Sequence, residues 1–476
     1  MRNLTIAVAG ILASAAAGAA NIDLYVAGAS AQSAFWKADM GTSVCGGAAN
    51  ITTYTLNGVS GISNEAWRCT APAAVAGTTI AAGDRVTVHY NSQFGTISGV
   101  AALVHPTVAK RLYVNPDSPD CSAPVAATPP AVGFVSSCTI LTYDGNNETF
   151  TSTSTGAFGT ADAAPMYISP NALPADVGVL DVEIKHWQLA ANWQVGVPAF
   201  GAVPTAADIA AIPVAATVVN GQIFSLITNN ASPIAAKGNI SKASAAAILT
   251  GVYNVWGDVP EVGGGNTTPI KLCRREQGSG TQVAASIFFS GLECGRSTTP
   301  IVTAAAQGQL SVANGGGGVT EETSTGNVRT CVQGNTGAVG FTSLGVNAAN
   351  YTTLALDGVQ ANAHNAAAGF YPYAFEDVVY NQSAASGAAQ GARDLATLFI
   401  NNARKATSLT SQIESTATQN ANGNWSATAP KSNYALPFLG VNTKSVANAS
   451  TLTQAVTALG LRNGDNCKVL FNSNTL

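Results

Sequence analysis

The chain has 476 residues, enough for two or three domains with large cores, and only 10% of them are charged, against about a quarter in ordinary globular proteins. A formal charge of −4 offers no basic field for nucleic acid or an anionic membrane. Any bound anion must be attracted by local groups.

In chain order, Met1-Arg2-Asn3, the apolar run Leu4 to Ala16 and the small residues Ala17 to Ala20 read as a secretory signal cleaved near residue 19–20. The run is too short to span a bilayer as a helix, no cysteine at the cleavage point offers lipid attachment, and no later stretch is long and apolar enough to insert. The mature protein is expected to begin near Asn21 and to work in the periplasm or outside the cell. Ala, Gly, Ser, Thr and Asn fill the place of charge, which suits an exported protein with a neutral, polar surface.

Ile22 to Val26 reads as a strand, followed by Ala27-Gly28-Ala29-Ser30 and a helix through Phe35 and Trp36. Arg85 to Tyr90 is a second strand, with Val86, Val88 and Tyr90 on one face; it ends in the loop Asn91 to Gly99, and a helical pattern runs from Val100. Val177 to Val182 is a third strand, ending at Asp181. Phe224 to Thr228 and Ile270 to Cys273 are further strands. Ile240-Ser241 opens a helix with Ala245, Ile248 and Leu249 as its face and Gly251 as its stop. Gly337 to Phe341 is a short buried strand, and Ala388 to Asn402 a late helix around Leu395, Leu398 and Phe399. This alternation predicts an α/β fold with mainly parallel sheets, whose ligands bind at loops beyond the strands' carboxyl ends. Residues 41–84 and 107–172, rich in Pro, Gly, Ser and Thr, look like insertions with little core of their own. A polar extension begins at Ala403.

Eight cysteines, an even number, suit an oxidising compartment. No Cys-x-x-Cys spacing occurs and His89, His105, His186 and His364 are scattered, so no metal site or cofactor is expected. Nearness favours Cys45–Cys69 and Cys121–Cys138, one pair tying each insertion. Cys273 and Cys294 flank a predicted helix of about a dozen residues, whose ~1.5 Å rise per residue holds them too far apart to pair. Cys294–Cys331 is then put forward, with Cys273 and Cys467 unassigned.

The segment from Lys271 to Gln282 carries the most chemistry. Arg274 and Arg275 precede Gly278-Ser279-Gly280-Thr281, and an apolar helix pattern follows at Val283, Ala284, Ile287, Phe288 and Leu292. Glycines allow close backbone approach, the helix's first N–H groups point outward, and an arginine fork fits a tetrahedral oxyanion. The plainer alternative is a glycine-rich turn with Thr281 as N-cap and an arginine pair on the surface.

These loops resemble those of the periplasmic phosphate-binding protein of ABC-type phosphate importers, a type II periplasmic substrate-binding protein. Val26 to Ala31 is similar to that family's first loop, Gly95 to Val100 to its second, Asp176 to Asp181 to its Asp-x-Gly-x-Ser-Asp strand end, and Arg274 to Thr281 to its Arg-Arg-x-x-Gly-Ser-Gly-Thr loop. The resemblance implies two α/β lobes closing on an anion: residues 21–215 as the first part of lobe I, 216–348 as lobe II, and 349–476 as the rest of lobe I with the extension. It places Ser30, Ala31, Ser98, Asp181, Arg275, Ser279, Gly280 and Thr281 around the ligand, with no catalytic residue. Asp181 would accept a hydrogen bond from the proton that phosphate keeps near neutral pH and sulfate lacks. Gln277 stands where the family has the acid that orients the second arginine, Leu180 replaces a small polar residue, and Ala31 an aromatic. The implied protein is a monomer that captures phosphate or a related oxyanion and hands it to an ABC permease.

Two other classes compete. A hydrolase would use Ser279 as nucleophile, but Gly-x-Ser-x-Gly is absent and no histidine lies in a convincing loop. A secreted surface or matrix protein could reuse the scaffold, which low charge and the cysteine-tied insertions also suit.

Overall fold

The computed structural model describes residues 19–56, 64–92, 95–106, 113–119, 121–128, 132–138, 140–142, 149–151, 174–193, 200–294, 299–344, 351–362, 365–366, 370–404, 417–419, 425–427, 436–437 and 467. The leader, His364 and most of the stretch beyond Ala403 lie outside the described residues.

The first strands are β1 (Asn21–Gly28), β2 (Thr52–Leu56), β3 (Asn64–Thr70), β4 (Arg85–Asn91), β5 (Val125–Ala126), β6 (Phe134–Cys138), β7 (Ile140–Thr142), β8 (Thr149–Thr151) and β9 (Val177–Leu180). There follow β10 (Thr217–Asn229), β11 (Asn239–Ile240), β12 (Lys271–Arg275), β13 (Val319–Glu322), β14 (Ala338–Ser343), β15 (Tyr351–Leu356) and β16 (Ala374–Asn381). The helices are α1 (Ser33–Ser43), α2 (Thr96–Val104), α3 (Ala206–Ala210), α4 (Lys242–Leu249), α5 (Gly280–Ala285), α6 (Thr325–Gln333) and α7 (Gln390–Ala403).

The main sheet runs β13-β12-β14-β10-β16-β9-β1-β4-β3-β2-β6-β5. β1 lies parallel between β4 and β9, and β12 parallel between β13 and β14. β10 joins these two groups. Its first half, Thr217 to Ile223, pairs antiparallel with β16, and its second half, Phe224 to Asn229, with β14 and β15. β16 is antiparallel to β9 as well. The sheet is therefore mixed where the sequence suggested mainly parallel pairing, because β10 and β16 run against their neighbours between the two parallel groups.

Packing follows the strand period. Ile22, Leu24 and Val26 of β1, with Val86, Val88 and Tyr90 of β4, pack with Trp36 and Met40 of α1 and with Leu395 and Phe399 of α7. Trp36 meets Phe399 edge to face at 5.4 Å between centroids. A second core under the β12 side includes Ile223, Phe224, Ile248, Leu272, Val283 and Phe341.

Residues 52–56 and 64–70 extend the sheet rather than hanging from it. β3 pairs antiparallel with β4 and β2 with β3, and Trp67, Ile51 and Ile80 join the β1 core. The disulfides Cys45–Cys69 and Cys121–Cys138 form as the spacing suggests. Cys294–Cys331 does not form. Cys331 lies on α6, which packs over β12 and brings it to Cys273, with Cα atoms 6.0 Å apart. Cys294 pairs instead with Cys467, 173 residues away. Sequence nearness favours short loops; helix-on-sheet packing decided the Cys273 pairing.

Candidate functional site

β1, β4 and β9 are parallel, so their carboxyl ends and following loops open on one side of the sheet. Glycine makes their close approach possible. Gly28, at φ +137°, and Gly99 of α2 both lie against the Val179 carbonyl, where added side chains would collide. α2 begins at Thr96, four residues before the expected Val100, because Gly95 at φ +73° turns the chain into the helix. Thr96, Ile97 and Ser98 therefore form its first turn.

The second, third and fourth candidate loops meet directly. The Thr96 hydroxyl donates to Asp181 Oδ1 and accepts from the Gly280 N–H at 3.2 Å. A Cβ at Gly280 would collide with both partners, so only glycine fits there. Ile97 N–H donates to Gly278 O at 2.9 Å, and Gly278 N–H donates to Asn192 O at 3.1 Å. A Cβ on Gly95 would lie 3.6 Å from Arg275 Nη2. Asp181, Arg275, Ser279, Gly280 and Thr281 are all buried at this junction.

Both arginines are interior, each 2% exposed, which rules out the surface-pair alternative; the N-cap of α5 is Ser279 and not Thr281. Arg275 donates from Nε to Glu322 O at 3.2 Å, from Nη2 to Thr323 O at 3.1 Å and from Nη1 to Thr325 Oγ1 at 3.3 Å. These groups at the end of β13 orient the guanidinium, a task the sequence could not assign once Gln277 had replaced an acid. Arg274 turns the other way, donating from Nη1 to Val302 O at 2.9 Å and from Nε to Arg275 O at 2.9 Å.

Ser30 and Ala31 lie in the turn Ser30–Gln32 that leaves β1. Tyr90 Oη holds that turn by donating to Ala29 O at 2.6 Å, and Gln32 Nε2 reaches Asp377 Oδ2 at 2.6 Å. Ser98 is buried in α2, its N–H bonded to Gly95 O at 3.1 Å. The hydroxyl on Asp181 belongs to Thr96, two residues earlier. Sequence reasoning missed Thr96, Gln32, Asn220 and Asp377. Two acids inside the apolar run Phe375-Glu376-Asp377-Val378-Val379 were the available signal, since carboxylates seldom lie in buried strands without a role.

Burial raises the Asp181 pKa, opposed by the Thr96 hydroxyl, its own N–H and the Arg275 charge. Burial lowers that of Arg275, opposed by Glu276 and Asp181. Glu276 is pushed up to about 7 by burial, against the pull of Arg275. The junction thus brings one guanidinium, carboxyl groups, hydroxyls and main-chain N–H groups together away from solvent. Among the described residues no group of three His, Cys, Asp or Glu is placed to hold a metal ion.

Residues 203–403 match the family model described as the PBP superfamily domain. That stretch includes the Arg274 to Thr281 loop, and the fold around it is the α/β class expected from the sequence. Solved structures to which it is similar include a high affinity periplasmic phosphate-binding protein, PfluDING, bound with phosphate. That protein is 11% identical with a TM-score of 0.37, over 75% of this chain and 80% of that one. An ABC-type phosphate transport receptor from Vibrio cholerae is 16% identical, with a TM-score of 0.29 over 47% and 73%. A phosphate binding protein from Stenotrophomonas maltophilia is 12% identical, with a TM-score of 0.32 over 53% and 73%. No curated protein sequence matches the chain.

Proposed function

We propose that this protein captures phosphate or a similar tetrahedral oxyanion between two lobes outside the cytoplasm, without chemical turnover, and delivers it to an ABC permease. The lobes are residues 21–215 with 349–476, and 216–348; β10 and β16 link them, and the leader directs export. The observation that carries this reading is the junction of Thr96, Asp181, Arg275 and Gly280. A buried guanidinium supplies the countercharge, and Ser30, Ser98, Ser279 and Thr281 supply hydroxyls for the remaining oxygens.

Asp181 gives the choice of anion. As a carboxylate it accepts a hydrogen bond from the proton-bearing oxygen of hydrogen phosphate, and it repels sulfate, which has no such proton to offer. A hydrolytic role for Ser279 has less support. His89 is engaged by Val114 O and Asp23 and His105 by Ala202 O, and neither contacts Ser279. Among the described residues no helix is long and apolar enough to cross a membrane.

Calorimetric titration of phosphate into the wild type and Arg275→Ala tests the proposal. Saturable binding that is lost in the variant is expected. A wild type that takes up no phosphate at micromolar concentration would sink it.

A further inference from the structure

A second carboxyl group stands beside Asp181. β16 pairs with β9 through Val378↔Leu180 and with β10 through Asp377↔Asn220. One step past the Val378 pair, Asp377 is opposite Asp181, and cross-strand partners share a sheet face. Asp377, Asn220 and Gln32 are each 0% exposed. Gln32 Nε2 donates to Asp377 Oδ2 at 2.6 Å, and Gln32 Oε1 accepts from Asn220 Nδ2 at 3.5 Å. Asp377 Oδ1 has no hydrogen-bond partner, and no ion pair involves Asp377 among the described residues.

We propose that Asp377 is a neutral, proton-bearing carboxyl that positions the Ser30–Gln32 turn of the oxyanion site through Gln32. This rests on the reading of the junction as a phosphate site. Asp377 is a positioning residue and does not touch the ligand.

The argument is one of unequal support. A buried carboxylate needs a cation or several donors. Asp181 has the Thr96 hydroxyl, its own N–H and the charge of Arg275; Asp377 has one amide donor. Two carboxyls on neighbouring strands then share one proton, and the poorer site keeps it. The titratable groups facing Asp377 are Asp181, just past the end of β9, and Tyr90 on β4. Burial and then the Asp181 charge both push its pKa well up. In its neutral form Asp377 offers a carbonyl to Gln32, holds the first loop, and adds no negative charge against an arriving anion.

Asp377→Asn reproduces this pattern, with a carbonyl toward Gln32 and a donor at the second position, but cannot ionise. Phosphate is titrated into wild type, Asp377→Asn and Gln32→Leu from pH 5 to pH 9, and each protein is also melted without phosphate. A raised folded pKa means that the folded state binds more protons, so wild-type stability falls with rising pH and Asp377→Asn escapes that fall. The expected results are three. Asp377→Asn binds within about threefold of wild type at pH 6, and its melting advantage grows with pH. Above the Asp377 pKa, wild-type affinity drops against the variant by up to about tenfold per pH unit. Gln32→Leu loses about tenfold or more at every pH. Binding by Asp377→Asn weakened about tenfold at pH 6, or a melting difference flat with pH, overturns the proposal. A wild type that binds no phosphate, with the pH-dependent melting difference intact, refutes the phosphate reading and supports the proton on Asp377.

Discussion

Replacing Thr96 with valine removes one oxygen and keeps the side-chain shape. That oxygen donates to Asp181 Oδ1 and accepts from Gly280 N–H at 3.2 Å, and Thr96 is 1% exposed. A hydrogen bond to a charged group contributes roughly 1.5–3 kcal/mol and an ordinary one about 1, and the buried Gly280 N–H would also be left unpaired. Thr96→Val should therefore lower stability by about 3 kcal/mol. Thr96→Ser keeps the hydroxyl and loses one buried methyl, roughly 1 kcal/mol. Urea unfolding of the oxidised proteins, read as midpoint shifts at constant slope, separates the two. The Asp181 carboxyl should also titrate higher in Thr96→Val, having lost the largest influence opposing burial. Thr96→Val within about 0.5 kcal/mol of wild type, inside the usual range for neutral surface substitutions, would refute the central role given to that hydroxyl.

Arg275→Lys should weaken phosphate binding by about tenfold or more in calorimetry, because an ammonium cannot span Glu322 O, Thr323 O, Thr325 Oγ1 and a ligand together. Glu276, ordinary at 4.5 when unfolded and about 7 when folded, takes up a proton on folding between those values. Its contribution is fully present below pH 4.5 and is lost as pH rises through 7. Glu276→Gln should flatten the fall in melting temperature over that window, and an unchanged pH profile would count against it. Peptide mapping without reduction should recover Cys273 linked to Cys331 and Cys294 to Cys467. A Cys294–Cys331 peptide would contradict the packing of α6 on β12.

Much of this architecture could be read from residues alone, for identifiable reasons. β1 and β4 alternate because one face carries the core, β9 is apolar throughout because both its faces are buried, and Gly251 and Gly278 sit at φ +74° and +91°, where turns require them. The arginine–glycine loop could be recognised because one short segment holds its charge, its hydroxyls and its helix start. What escaped depends on partners distant in sequence. The direction of β10 and β16 is set by strand neighbours, the Cys273 pairing by α6 lying on β12, and the Thr96–Asp181 bond by where Gly95 starts a helix. Asp377 acquires its significance only from the strands on either side of it.

The most direct test of the account is a titration of the wild type and Asp181→Asn with phosphate and with sulfate, followed by tryptophan fluorescence. Wild-type protein that binds phosphate and rejects sulfate, with the preference lost in Asp181→Asn, is the predicted result. Equal response of the wild type to both anions, or to neither, would contradict it.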